Sequence, residues 1–302
     1  MTAEQRIKNL SVPKGPIDVV LDTDAYNEID DQFAISYLLR CGEKLNTLAL
    51  YAAPFSNKKS EGPADGMERS YDEIMKLLKL SGDKVDVYRG STEYLPDEKT
   101  PVVSPAAEHL AQLANNYSPE KPLYVVAIGA ITNVASAILL NPAVAENTVV
   151  VWLGGHARHF HNTHEFNMYQ DVAASRVVMG CGVPFVQLPC CGVVSAFTVS
   201  GPELEYWLCG KNDLADYLAR NTIAEAESYA KGRSWTRVIW DVTAVAWLMN
   251  DNNRFMATRL EHTYLSTYDN LYAVNDNSHL MRYVYHINRD ALMNDLIARL
   301  TK

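Results

Sequence analysis

The sequence predicts an α/β fold: a single-domain open, mostly parallel sheet with helices on both faces. Three observations carry this expectation. Short apolar runs rich in β-branched residues alternate with helical periodicity along nearly the whole chain. No Pro/Gly/Ser-rich linker or charge block divides the 302 residues, so one domain, 1–302, is expected. No repeat of fixed period and no low-complexity stretch interrupts the alternation.

The elements follow in order. Residues 17–21 (IDVVL) form a short run suited to a buried parallel strand, and an acidic turn follows. Phe33, Ala34, Tyr37 and Leu38 then recur at helical spacing. A second strand is expected over 45–53, a helix over 67–80 and a third strand over 85–88. A helix over 106–115 precedes a fourth strand at 123–128 (LYVVAI), and a helix over 132–140 precedes a fifth strand at 148–153 (TVVVWL). A helix over 172–179 leads to a sixth strand at 183–188. Helices are expected after that over 214–230, 241–249 and 290–300. In such sheets, ligands bind outside the carboxyl ends of the strands.

Composition narrows the function classes. The net charge is −9 and there is no basic stripe, which argues against nucleic acid as a partner. No window approaches the roughly 18 apolar residues of a membrane span, and the polar first 16 residues do not read as a signal peptide. Cys41, Cys181, Cys190, Cys191 and Cys209 are odd in number and form no C-x-x-C pair, so reduced thiols and a cytoplasmic location are expected. Cys190 and Cys191 follow an apolar run and read as packing.

The chemistry concentrates after the first strand. Asp22, Asp24, Glu28, Asp30 and Asp31 put five carboxylates within ten residues. Their mutual repulsion at a core strand end calls for a cation or protons, and hard cations take oxygen ligands. The plain alternative is an acidic helix N-terminus, which the macrodipole favours. That explains Asp30 and Asp31 better than Asp22 and Asp24. Polar groups follow other strand ends: Asn57 after the second, Gly129-Ala130-Ile131-Thr132-Asn133 after the fourth, and Gly154-Gly155 with Glu165-Phe166-Asn167 after the fifth. Asp241 opens the apolar helical run DVTAVAWL.

Taken together, DTD…IDD (22–31), GAITNVA (129–135), GG (154–155), EFN (165–167) and WD (240–241) resemble, in order and approximate spacing, the inosine-uridine preferring type of nucleoside hydrolase. The resemblance implies the family's open α/β sheet in a homodimer or homotetramer. It implies a Ca2+ held by Asp24, both oxygens of Asp31, Asp241 and the backbone carbonyl of Ile128, where the family has threonine. Asp24 would also be the base for the attacking water. Asp30, Glu165 and Asn167 would hold ribose hydroxyls, with Asn57 and Asn162 nearby. The implied reaction is hydrolysis of an N-ribosyl bond to ribose and free base, through an oxocarbenium-like state stabilised by the carboxylates. The partner is thus a small-molecule nucleoside.

Two departures stand out. Five residues separate Asp24 from Asp30 where the family's box has three, so Tyr26-Asn27-Glu28 form a longer turn that can bring Glu28 toward the metal. Trp240 replaces the family's histidine before the late aspartate. Tryptophan is no general acid, but it can stack on a base, so Trp240 joins the expected substrate-binding residues. The loop 156–164 holds four of the eight histidines and can supply an acid. It lacks the pattern of a transition-metal site. Tyr229, Arg233 and Trp235 are candidates for a substrate lid. Two other readings remain open: a ribose- or nucleoside-binding protein of this fold without catalysis, and a magnesium-dependent phosphohydrolase of the haloacid-dehalogenase type, which would leave EFN and WD unexplained.

Overall fold

The structure is a computed structural model that describes residues 1–274 and 278–302. The strands are β1 (Ile17–Thr23), β2 (Leu45–Ala52), β3 (Asp86–Arg89), β4 (Leu123–Ala127), β5 (Thr148–Leu153), β6 (Phe185–Leu188), β7 (Thr198–Ser200), β8 (Thr236–Val238), β9 (Met256–His262), β10 (Leu265–Ser266), β11 (Tyr272–Ala273) and β12 (Leu280–Ile287). The helices are α1 (Ala3–Asn9), α2 (Asp30–Leu39), α3 (Pro63–Ser81), α4 (Pro105–Leu113), α5 (Thr132–Leu140), α6 (Ala143–Asn147), α7 (Phe166–Gln170), α8 (Val172–Gly180), α9 (Gly201–Trp207), α10 (Asp213–Ala230), α11 (Val242–Leu248) and α12 (Arg289–Leu300).

Eight strands make one sheet in the order β3-β2-β1-β4-β5-β6-β12-β9. β1 to β6 and β12 run parallel to their neighbours, and β9 pairs antiparallel with β12 at one edge. Period-2 alternation sorts the strand side chains into two cores. Val19, Leu21, Val126 and Val151 face one, and Val20, Val125, Ala127 and Trp152 face the other. Phe33 of α2, Trp247 of α11 and Leu296 of α12 cover the first face. Leu110 of α4, Val134 of α5 and Val178 of α8 cover the second. Cover on both sides is why the central strands read as unbroken apolar runs.

Local chemistry sets the element ends. Ser104 caps α4 by accepting from the Ala107 amide, with Pro105 in the first turn. α3 stops at Gly82, whose φ of 75° is the left-handed conformation that glycine favours. The sixth strand, expected from 183, begins at Phe185 because Pro184 has no amide to donate; its carbonyl accepts from Val150 at 2.9 Å. The region between α11 and α12, where the sequence suggested no element, holds β9 and β12. Arg259 and Glu261 on edge strand β9 give it a polar pattern unlike a core strand.

The chain order reverses beside β1: β2 and β3 lie on one side, β4 to β6 on the other. That reversal opens a crevice at the carboxyl ends of β1 and β4, where open α/β sheets place ligands.

Candidate active site

Neighbouring strands fasten the end of β1. Ile128 N–H donates to the Asp22 carbonyl at 2.9 Å, and Ala53 N–H donates to the Thr23 carbonyl at 2.8 Å. Asp22 is held from behind by Asn133, whose Nδ2 donates to Oδ1 at 2.8 Å. Asn133 in turn accepts from Ser91 N–H at 2.7 Å. Asn133 after β4 therefore braces the acidic box, while Thr132 turns the other way and donates to Asp171 at 2.7 Å. The turn after Asp24 closes through Asn27 N–H on the Asp24 carbonyl at 2.7 Å. It delivers Asp30 and Asp31 as the first residues of α2, where the helix dipole favours negative charge. Asp241 stands at the start of α11, which packs on α2.

Four buried carboxylates meet here. Oxygens of Asp30, Asp31 and Asp241 lie within 4.8 Å of one another, the only such group of potential ligands among the described residues. Both oxygens of Asp24, Oδ1 of Asp30 and Oδ1 of Asp241 are buried without a hydrogen-bond partner. Asp31 Oδ1 accepts from Thr23 Oγ1 at 2.6 Å. The floor leaves room only for backbone at Gly129, where an added Cβ would sit 3.0 Å from Asp24 Oδ1. Burial, then repulsion from Asp31 and Asp30, pushes Asp24 well above the usual carboxylate range. Burial likewise leads for Asp30 and for Asp241, each with neighbouring carboxylates adding to it. Burial raises Asp31 to about 7 against the hydrogen bond from Thr23, and Asp22 to about 7 against that from Asn133. Orphaned, mutually repelling oxygens are costly unless protons or a cation compensate them. This donor set, all hard oxygen, fits a divalent cation.

Beside the cluster, Glu165 caps α7 and accepts from the amides of Gly155 (2.8 Å), Asn167 (3.0 Å) and Met168 (3.1 Å). Asn167 Nδ2 donates to the carbonyls of Ile128 and Leu153, both at 3.0 Å. The Ile128 carbonyl is thus turned toward Asn167. A cavity of about 190 Å³ joins Asp24, Asp30, Asp31, Ile128, Glu165, Asn167, Trp240 and Asp241 with Asn27, Glu28, Leu153, His156, Phe166, Cys190 and Cys191. Its floor is acidic and buried. Trp240, His156, Phe166, Glu28 and Cys191 are partly exposed and form the rim.

Other expected residues lie elsewhere. Asn57 does not line the cavity; its Nδ2 donates to Asn27 Oδ1 at 2.7 Å. Asn162 pairs with the His161 ring at 3.0 Å. Of the loop histidines, only His156 faces the cavity. Tyr229, Arg233 and Trp235 do not line it either: Tyr229 Oη accepts from Arg237 at 3.0 Å, and Trp235 lies over Gly201. Asn27, Phe166, Cys190 and Cys191 were not singled out from the sequence as site residues. Cys190 and Cys191 come one residue after the end of β6, so the strand-end rule would have found them. Cys190 is buried as packing requires, yet it also walls the cavity.

The family model described as inosine-uridine preferring nucleoside hydrolase matches residues 19–294. No curated protein matches the chain significantly. Several solved structures do. A plant nucleoside hydrolase is 19% identical with a TM-score of 0.72, over 95% of this chain and 99% of that one. A purine-preferring ribonucleoside hydrolase from Gardnerella vaginalis is 15% identical with a TM-score of 0.72, over 94% and 98%. The type III effector protein XopQ, solved with adenosine diphosphate ribose, is 16% identical with a TM-score of 0.68, over 99% and 96%. At these identities the likeness shows a shared fold.

Proposed function

The chain belongs to the inosine-uridine preferring nucleoside hydrolase family, and from that premise we propose that it hydrolyses the N-glycosidic bond of ribonucleosides to ribose and free base. The observation that carries this reading is the set of partnerless carboxylate oxygens of Asp24, Asp30 and Asp241 at the bottom of the crevice at the strand ends.

Asp24, Asp31, Asp241 and the Ile128 carbonyl would hold a calcium ion. When bound, the ion supplies positive charge that acidifies and orients the attacking water. Asp24 takes the proton from that water as its oxygen attacks C1′. The carbon–nitrogen bond pair leaves with the base, which takes up a proton from solvent to become the free base. Asp30, Glu165 and Asn167 hold ribose hydroxyls, which fixes the ring for in-line attack. Their carboxylates face the ring while positive charge develops on it. Glu165 suits that task because three amides fix its orientation. Burial raises its carboxyl, and the amide hydrogen bonds oppose the rise. Trp240 offers its face to the base. The proposal includes a homodimer or homotetramer, which light scattering tests.

A second reading has one observation behind it. Trp240 stands where relatives carry a titratable group, and a chain that binds ribosides without cleaving them would need none. A panel of nucleosides, nicotinamide riboside included, assayed with calcium for released ribose decides between the two. Release from at least one is expected. Binding throughout the panel with no release establishes the second reading instead.

A further inference from the structure

A second cavity, of about 320 Å³, shares no lining residue with the acidic crevice. It lies where the segment after α1 meets the turn after α11 and the paired strands β9 and β12. Arg282 of β12 pairs with Leu260, and Thr258 of β9 pairs with Val284, so period-2 alternation puts Arg282 and Thr258 on one face. Both line the cavity. Arg282 Nε donates to the carbonyl of Leu10, another lining residue, at 2.9 Å, which fixes the guanidinium against the wall. Its two terminal nitrogens have no hydrogen-bond or carboxylate partner among the described residues. Burial pushes this guanidinium down, with no neighbouring charge to offset it, although the chain carries 36 acidic side chains. No carboxylate lines the cavity, and Asp251 on the adjoining turn is occupied by Lys44, 3.0 Å from both its oxygens. Trp247, fully buried, belongs to the same wall, and its Nε1 is a buried donor without an acceptor. Such a set is rich in donors and lacks an anion.

We propose that this cavity is a second ligand site that takes a phosphate monoester, two of whose oxygens sit on the terminal nitrogens of Arg282. The planar fork of a guanidinium matches two oxygens of one anion. Phosphate is favoured over carboxylate by the number of donors at hand: the hydroxyls of Ser11 and Thr258 and the amides of Asn252 and Asn253 line the cavity as well. The volume leaves room for the group that carries the phosphate, since small-molecule pockets begin at roughly 300 Å³. This site stands whether or not the acidic crevice cleaves nucleosides.

Calorimetry on the full chain, freed of metal, tests it with three probes: glycerol 3-phosphate, inorganic phosphate and acetate. Wild type should bind glycerol 3-phosphate most tightly and acetate least. Arg282→Met should weaken glycerol 3-phosphate about ten- to a hundredfold, the scale of hydrogen bonds to a charged group. Asp24→Asn should bind it as wild type does, which separates this site from the acidic crevice. If Arg282→Met fails to fold, Ser11→Ala with Thr258→Val is read instead, with a loss of severalfold expected. No binding by wild type at millimolar concentration, equal binding by wild type and the folded variant, or acetate bound as tightly as glycerol 3-phosphate overturns the proposal.

Discussion

Arg237 on β8 grips Glu28 at 3.0 Å, inside the turn that makes this chain's acidic box longer than its family's. The same guanidinium lies 3.7 Å from Glu225 on α10. Lys59 joins Glu225 at 2.7 Å and donates to the Asn27 carbonyl at 2.8 Å. The extra residues are thus pinned from outside, and Glu28 is drawn toward Arg237 rather than onto the carboxylate cluster. Its charge still reaches Asp30, where after burial it is the largest influence raising that carboxyl.

A double-mutant cycle of Glu28→Ala and Arg237→Ala should therefore show coupling of about 0.5–1 kcal/mol in urea unfolding. The figure is small because the Glu28 side chain is 45% exposed and solvent screens the pair. Arg237→Ala alone should cost more than Glu28→Ala alone, since it also removes the guanidinium 3.7 Å from Glu225, which keeps only Lys59. Additive single effects would show that the turn holds its shape without this clamp.

The cation site makes a second expectation. Asp31→Ala should abolish calcium binding in elemental analysis, because Asp31 belongs to the group of mutually close oxygens that also holds Asp30 and Asp241. Wild-type Tm should rise on adding calcium, by mass action worth about 2.7 kcal/mol at a hundredfold excess over Kd. The variant's Tm should not move. Full calcium occupancy in Asp31→Ala would remove it from the ligand set.

Stability should depend on pH in opposite senses with and without the cation. Asp22 and Asp31 are each raised from 3.8 to about 7 in the folded chain. A folded-state pKa above the unfolded one means the native protein binds more protons between those values. The stabilisation is therefore complete below about pH 4 and is lost as pH rises through 7, with a slope of up to about 1.4 kcal/mol per pH unit per group. Metal-free protein should then be more stable to urea at pH 5.5 than at pH 8. Calcium must displace protons from the cluster, so calorimetry in buffers of different ionisation heat should detect proton release near pH 7. Equal metal-free stability at the two pH values would contradict the burial argument.

Much of this site was legible in the sequence because parallel strands place chemistry at their carboxyl ends. The runs ending at Asp22, Ile128 and Leu153 each led to a residue that lines the cavity or braces it. β9 escaped because it is an edge strand whose Arg259 and His262 are exposed, and β12 because Arg282 and His286 interrupt its apolar residues, so neither shows the apolar run that marks a core strand. Asn57 illustrates a different limit. It follows β2 as the strand-end rule requires, yet its amide is spent on Asn27. Strand position predicts proximity to the crevice, while the longer turn after Asp24 decides which side chain reaches it.

Trp240 carries the last expectation. It directly precedes Asp241 and lines the cavity, and it is partly exposed while also resting against the core. Its indole has no group that titrates near neutral pH, so its contribution should be to binding rather than proton transfer. Trp240→Ala should weaken nucleoside binding roughly ten- to a hundredfold, the scale of about 1–3 kcal/mol for a base stacked on an aromatic side chain. The loss should be larger for purine than for pyrimidine nucleosides, whose smaller rings cover less of the indole. Trp240→Phe should restore part of the affinity, since it keeps a smaller stacking face and loses the pyrrole ring with its N–H. Tm should fall only modestly, because this side chain is not sealed in the core as Trp247 is. A large fall in Tm with unchanged nucleoside affinity in the folded fraction would make Trp240 a packing residue.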